Sequence, residues 1–174
     1  MSPRSSERDS RRKLEPDFRP SGLLAAATKT IKKVDGSSTV LKYHEPPEAR
    51  KPSSGWRLYV FKGEQESDVL HISRQSAYLF GRDRTVVDIP TEHPSCSKQH
   101  AVIQFRQVAQ RNEWGETKNT VRPFVIDLES TNGTYVNGSE IPTSRYYELK
   151  HQDLLKFGES SREYVLMNVD EAGS

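Results

Sequence analysis

The chain has 174 residues, of which 33% are hydrophobic and 29% are charged. This length suits one domain of ordinary size with an additional arm, because a chain this poor in apolar residues cannot pack a core along its whole length. Its apolar runs fall short of the roughly 18 residues of a transmembrane span, and its single cysteine, Cys96, excludes an internal disulfide and a cysteine-ligated zinc module.

The formal net charge of +2 conceals an uneven distribution. Residues 1–50 contain 11 Lys and Arg against 7 Asp and Glu, whereas residues 51–174 contain 15 against 17. Residues 1–15 are basic, of mixed charge and nearly without apolar side chains, which is typical of a disordered tail. Nonspecific contact of this tail with RNA is the alternative interpretation.

Residues 16–51 carry scattered apolar side chains between Gly, Ser, Lys and Pro. Such sparse anchors form no core of their own but suit a segment that becomes ordered on a partner. We interpret 16–51 as a largely extended, partner-docking arm and linker; the alternatives are a plain linker or a segment folded back on the same chain. The candidate anchors are Pro16, Phe18, Leu23, Leu24 and Tyr43.

From residue 52 to residue 170, short apolar runs separated by turn residues predict an all-β sandwich, followed by a disordered tail at 171–174. Within 101–108, apolar and polar residues alternate with a break at Val102, so we expect one face to pack and the other to face water. The polar stretch 109–120 predicts a long hairpin tip. The predicted strands are 56–62, 69–73, 77–81, 86–89, 100–108, 121–128, 134–136, 139–141, 145–148, 153–157 and 163–169.

Five polar side chains fall in three predicted loops, namely Arg82, then Ser97 and Lys98, then Thr131 and Asn132. A phosphate dianion has three strong acceptor oxygens, so its site needs a permanently charged donor together with hydroxyl and amide donors. An Asn amide also offers both donors and an acceptor to a peptide backbone. Each residue alone has an ordinary surface role, but their joint order and spacing predict a phosphopeptide site.

Four other residues are interpreted as structural support of this site. A glycine permits a tight exit from a strand, Asn-Gly is a common hairpin turn, and a histidine before an apolar strand can pin a loop. The four residues are Gly81, His100, Gly133 and Asn137.

The sequence lacks the motifs that an enzymatic interpretation would require. The Ser-x-x-Lys run at 95–98 lacks its companion motifs, and Cys96 with His100 has no orienting context for a thiol nucleophile. The sequence has neither a Walker A run nor a His-Glu-x-x-His motif. We therefore expect no catalytic residue, no metal site and no cofactor.

Gly81-Arg82 and the stretches 97–100 and 130–138 resemble the forkhead-associated (FHA) domain family, over about residues 56–167. The resemblance implies an 11-stranded β-sandwich that reads phosphothreonine. By it, Arg82 and Ser97 hold the phosphate, Lys98 assists, Thr131 lies beside the phosphothreonine and Asn132 holds the peptide backbone. The family often has Arg where Lys98 stands; the lysine keeps the charge but lacks the planar fork.

Longer stretches, at 42–50, 93–102, 145–150, 156–158 and 160–166, resemble the family formed by the Smad nuclear-interacting proteins of animals and the pre-mRNA leakage proteins of fungi. This implies a nuclear subunit of the pre-mRNA retention and splicing (RES) complex, with its arm docked on a small RNA-recognition-motif subunit beside other spliceosomal proteins. We expect a phosphothreonine-containing protein as ligand, no membrane contact and no homo-oligomer. The alternative is a scaffold subunit with an unused phosphate pocket and weak RNA contact.

Overall fold

The structure, a computed structural model, describes residues 30–32 and 38–172, with side chains for residues 40–171. It divides into two compact units, Met1–Pro47 and Glu48–Ser174. In the first unit, strands β1 (Thr30–Lys32) and β2 (Ser38–Val40) pair in antiparallel fashion. Tyr43 is partly buried. The predicted tail 1–15 and the other candidate anchors, Pro16, Phe18, Leu23 and Leu24, lie outside the described residues.

The second unit is a β-sandwich of eleven strands. They are β3 (Trp56–Lys62), β4 (Gln65–His71), β5 (Ala77–Gly81), β6 (Ile89–Pro90), β7 (Ala101–Arg111), β8 (Thr117–Asp127), β9 (Thr134–Val136), β10 (Ser139–Glu140), β11 (Tyr147–Glu148), β12 (Leu154–Phe157) and β13 (Arg162–Asn168). One sheet has 6 strands in the order β10-β9-β12-β13-β3-β4, and the other has 5 in the order β11-β8-β7-β5-β6. The predicted fold is thereby confirmed.

A short helix, α1 (Val169–Ala172), follows the last strand. It includes the first half of the predicted tail 171–174, which is therefore not wholly irregular; residues 173 and 174 lie outside the described part. The backbone amides of Asp170 and Glu171 donate to the side chain of Asn168, which caps this helical turn. No helix in the described part of the chain has the length and hydrophobicity to cross a bilayer.

The core lies between the two sheets and has an aromatic centre. The rings of Phe80 and Phe157 stack with centroids 4.8 Å apart, and Tyr164 meets Phe157 edge-on at 5.3 Å. All three side chains are buried, and burial of one such ring contributes about 1.5–3 kcal/mol. Because Phe80 immediately precedes Gly81, the base of the Arg82 loop is anchored in the aromatic centre of the core.

The β7–β8 hairpin is longer than predicted. Its register continues to the pair Arg111↔Thr117, so the polar stretch 109–120 is mostly strand and only residues 112–116 form the tip. There the Asn112 carboxamide oxygen accepts from the amides of Trp114 and Glu116, each at 2.9 Å. The prediction was wrong because a solvent-exposed ladder is held by backbone hydrogen bonds and needs no apolar alternation.

Both faces of β7 are buried near its start. Gln104, which was expected to face water, is 0% exposed, and Val102, the break in the predicted alternation, is 1% exposed. The Gln104 amide donates to the carbonyls of Ser76 and Phe105, so a polar side chain is accommodated without an unsatisfied donor. The expectation of one wet face was wrong for this part of the strand.

Three short strands also differ from their predicted bounds. Residues 86–88 are not a strand, because the amides of Val86 and Val87 donate to the carbonyl of Asp83 and close a turn over residues 84–86, and β6 starts only at Ile89. Strand β4 starts earlier than predicted, at Gln65, and β11 is limited to Tyr147–Glu148. Turn hydrogen bonds thus set the start of β6.

The second unit begins at Glu48, whereas residue 52 was predicted. The amide of Gln107 donates to the carbonyl of Glu48 at 2.9 Å, and the amide of Arg50 donates to that of Phe105 at 3.1 Å. Strand β5 pairs with β7 only as far as Gln104, so 48–50 continue the sheet beside the rest of β7. Two consecutive prolines, Pro46 and Pro47, directly precede this boundary.

Candidate anion-binding site on three loops

The three loops that carry the predicted site residues leave the same edge of the five-stranded sheet. Phe80, near the end of β5, pairs with Ala101 at the start of β7, and Ala101 pairs with Asp127 at the end of β8. Antiparallel pairing thus places the end of β5, the start of β7 and the end of β8 side by side. Residues distant in sequence meet there.

Arg82 is held by the backbone of the second loop. Its amide donates to the carbonyl of Ser97 at 3.0 Å, and its Nε donates to the carbonyl of Cys96 at 2.9 Å. The side chain is exposed. Since Nε is occupied by the protein, the two terminal nitrogens remain to form a fork toward a ligand.

Gly81 makes this close approach possible. A Cβ at this position would lie 2.0 Å from the carbonyl oxygen of Lys98. That same oxygen accepts from the amide of Asp83 at 3.3 Å. A side chain at residue 81 would therefore separate the first loop from the second.

Ser97 connects the second loop to the third. Its Oγ accepts from the amide of Thr131 at 3.1 Å. The hydroxyl hydrogen is then available to donate to a ligand oxygen. Lys98 and Thr131 are both exposed beside it.

The third loop is organised by a buried carboxylate. Asp127 is 0% exposed and accepts from the Ser130 amide at 3.0 Å, from the Ser130 hydroxyl at 2.6 Å and from the Thr134 hydroxyl at 2.6 Å. Ser130 Oγ in turn accepts from the amide of Gly133 at 3.0 Å. Sequence reasoning missed this role of Asp127, Ser130 and Thr134, although Asp side chains commonly accept hydrogen bonds from backbone groups of a following turn.

Asn132 is tied to the second loop through another residue that the sequence analysis did not assign to the site. Its Nδ2 donates to the carbonyl of Ser95 at 2.8 Å. The Ser95 hydroxyl meets Nδ1 of His93 at 2.7 Å and accepts from the amide of Glu159 at 2.8 Å. One Asn132 amide hydrogen is thus used internally, while its Oδ1 has no protein donor among the described residues.

The four predicted supporting residues have different environments. His100 is fully buried and bonds to both the second and the third loop, and Gly133, at φ 85°, would place a Cβ 2.6 Å from Glu140. Asn137, at φ 52°, instead links the β9–β10 turn to β12 through hydrogen bonds with Asp153 and Leu154. Asn137 therefore positions that turn and does not contact the three loops.

The electrostatics of the site are cationic. Among residues 40–172, no carboxylate lies within 4.0 Å of the Arg82 guanidinium or the Lys98 ammonium. The exposed cations of the first and second loops therefore have no counterion among the described residues. An eleven-stranded sandwich with cationic loops at one sheet edge defines a class of protein suited to binding an anionic group.

The comparisons with known proteins agree with this class. Residues 78–158 match the family model described as the FHA domain. Smad nuclear-interacting protein 1 of Mus musculus is 53% identical over 156 residues, which cover 90% of this chain and 39% of that protein. Pre-mRNA leakage protein 1 of Saccharomyces cerevisiae is 30% identical over 189 residues, covering 88% of this chain and 86% of that protein.

A solved structure, that of the yeast Pml1 splicing factor and its integration into the RES complex, superimposes with a TM-score of 0.61 at 30% identity. The match covers 74% of this chain and 97% of that one. The chain belongs to the FHA-domain family and is related within it to pre-mRNA leakage protein 1 and Smad nuclear-interacting protein 1. The predicted family is confirmed. The chain spans half or less of the length of the first curated relatives it matches.

Proposed function

We propose that the chain is a nuclear, nonenzymatic adaptor that binds phosphothreonine and acts in pre-mRNA splicing as a subunit of the RES complex. The observation that carries the binding function is the pair of cations, Arg82 and Lys98, without a carboxylate partner among the described residues, beside a Ser97 hydroxyl free to donate. The preference for threonine rests on membership of the FHA family.

Binding would proceed without rearrangement of the loops. Their backbones are already linked by the hydrogen bonds of Arg82, Ser97 and Asn132, so a peptide meets donors that are fixed in advance. The phosphate would accept from the Arg82 fork, the Ser97 hydroxyl and the Lys98 ammonium, while Asn132 and Thr131 contact the peptide next to it. Several charge-assisted hydrogen bonds on a small exposed site give a Kd on the order of micromolar.

The place in splicing is supported by the relatives. Yeast Pml1 is described as a splicing factor integrated into the RES complex, and the mouse relative bears the name Smad nuclear-interacting protein 1. On this basis we assign residues 16–51 as the segment that docks on the small RNA-recognition-motif subunit of that complex. Removal of residues 1–45 is expected to abolish that docking in a pull-down while leaving phosphopeptide binding unchanged; retained docking would contradict the assignment.

The binding function is tested by titrating the full chain with a phosphothreonine peptide library and its unphosphorylated twin. We expect phosphate-dependent binding that Arg82→Ala abolishes and Arg82→Lys weakens, because lysine lacks the fork. Arg74→Ala removes another exposed arginine and serves as the control. Equal binding of the two peptide libraries would overturn the proposal and favour a scaffold subunit that touches RNA only through its basic tail.

A further inference from the structure

A second candidate site is a cavity beside the segment that follows Arg82 in the chain. It has a volume of about 270 Å³ and is lined by strands β3, β4 and β13 and by the segment 84–92. Its wall includes the buried residues Ile89 and Tyr164 and the partly buried Leu70. Drug-sized ligand sites occupy roughly 300–1,000 Å³, so this cavity suits a single side chain.

Three cationic side chains line the cavity, namely Lys62, Arg84 and Arg162. Two negatively charged side chains, Asp68 and Glu92, also line the cavity. Asp68 is exposed and accepts from the neighbouring amide of Val69 at 2.8 Å. No carboxylate in the described part of the chain lies within 4.0 Å of Lys62. The lining therefore has an excess of positive charge over an apolar floor.

Glu92 already places a carboxylate between the two arginines. One of its oxygens pairs with Arg84, and the other lies 3.7 Å from Nη2 of Arg162. Its backbone adopts φ 51°, in the left-handed region that non-glycine residues rarely occupy. The side chain is 45% exposed, so water or a ligand can reach it. The arginine pair thus accommodates an oxyanion, and the one it holds is open to solvent.

We propose that this cavity is a second oxyanion site, which takes a phosphate or carboxylate side chain from the same peptide that binds at Arg82, with Glu92 as an internal competitor. The proposal rests on the proposed function. Arg84 follows Arg82 by two residues, and the segment from Glu92 leads directly to Ser95 and Ser97. A peptide that crosses the Arg82 loop can therefore reach both sites, and its second anion binds at a high effective concentration.

The cavity is tested independently of the peptide by titrating the full chain with inorganic phosphate and following backbone amides by NMR. We expect the amides of Arg84, Glu92 and Arg162 to shift with a saturation curve that Glu92→Gln makes tighter. The double variant Lys62→Gln/Arg84→Gln should abolish those shifts, while Glu113→Gln, at the exposed hairpin tip, serves as the charge-matched control for Glu92→Gln. The proposal would be overturned if phosphate does not shift the amides of the cavity, or if the shifts are the same in the double variant.

Peptides then test the bivalent ligand. A series carries one phosphothreonine and a second phosphoserine or glutamate at varied spacing on either side. At the spacing that spans the two sites we expect about tenfold tighter binding than with the singly modified peptide, a gain that Lys62→Gln/Arg84→Gln removes. Comparison of the phosphoserine and glutamate peptides shows which anion the cavity prefers. If no spacing increases the affinity over that of the singly modified peptide, the bivalent ligand is excluded. If peptide binding at Arg82 proves independent of phosphorylation while inorganic phosphate still shifts the cavity amides, only the proposed function is refuted.

Discussion

Nε2 of His100 donates a hydrogen bond to the carbonyl of Gly133 at 2.8 Å. Because its Nδ1 accepts from the amide of Ser97 at 3.1 Å, the ring is the neutral tautomer protonated at Nε2. One buried imidazole thus connects the second and third loops of the candidate site. The histidine contributes to binding through the positions of these loops.

Replacement of His100 by alanine is expected to destabilise the fold by about 2–4 kcal/mol, because it leaves a cavity, removes the acceptor of the Ser97 amide and leaves the Gly133 carbonyl with only the amide of Gly158 as donor. Phosphopeptide affinity should fall as well, since the Ser97 and Gly133 loops lose their link. Urea unfolding and peptide titration check both effects. His71→Ala, at an exposed position of β4, is the control, and an equal, small effect of the two substitutions would contradict the linking role.

Gly81→Ala is expected to cost about 1–3 kcal/mol and to abolish peptide binding, because its Cβ would overlap the carbonyl of Lys98. Gly63→Ala is the matched comparison. Gly63 lies at φ 67° with nothing within 4 Å of a Cβ, so only a backbone penalty of about 1 kcal/mol is expected there, with unchanged binding. Thermal unfolding and titration of the two variants separate steric overlap from backbone strain; binding retained in Gly81→Ala would show that the loops adapt.

Asp127→Asn should destabilise the chain by about 2–4 kcal/mol, because an amide nitrogen replaces one of two oxygens that accept from Ser130 and Thr134. Amide exchange of residues 129–133 should accelerate more than that of β3. Glu66→Gln removes an exposed carboxylate and should leave both measurements unchanged. Unaltered exchange in Asp127→Asn would mean that the third loop is held by other contacts.

Glu48 gives an acid-dependent contribution to stability. Burial alone would raise the pKa of Glu48, but the hydrogen bond and the charge of Arg106, with Arg50 nearby, outweigh it and lower the pKa below its usual value of 4.5. Arg106 approaches the carboxylate at 2.6 Å and also lies 4.3 Å from the centre of the Tyr146 ring. A depressed carboxyl pKa stabilises the fold above the unfolded-state pKa, and this contribution is lost as pH falls through the folded-state value.

We therefore expect Glu48→Gln to reduce the free energy of unfolding by about 0.5–1 kcal/mol at pH 7, a value kept small because the pair is partly solvated. The difference from the unaltered chain should diminish below about pH 4.5 and vanish once Glu48 is protonated in the folded state. Urea unfolding at several pH values measures it. A difference that stays constant down to pH 2 would indicate a packing effect instead of a charge effect.

The strands whose bounds the sequence predicted correctly carry either an apolar alternation that reflects burial on one face, as in β3 and β9, or a continuous apolar run buried on both faces, as in β5. The predicted bounds of β3, β5 and β9 agree with the structure, and these strands contribute Trp56, Phe80 and Val136 to the core. The outer half of the β7–β8 hairpin could not be predicted in this way, because its strands are exposed and their pairing is a property of the backbone. Burial of Gln104 likewise depends on acceptors that other segments supply.

For the candidate site, the sequence supplied the chemistry of Arg82, Ser97, Lys98, Thr131 and Asn132 and the family to which the chain belongs. Only the tertiary structure decided how these side chains are held, because the linking hydrogen bonds join residues far apart in the chain. Thr131 and Ser97, for example, are 34 residues apart, and Asn132 donates to Ser95 across 37. The cavity lined by Arg84 and Glu92 likewise depends on strands β3, β4 and β13 meeting the segment 84–92. Residue types fix which bonds can form, whereas sheet register fixes which groups are close enough to form them.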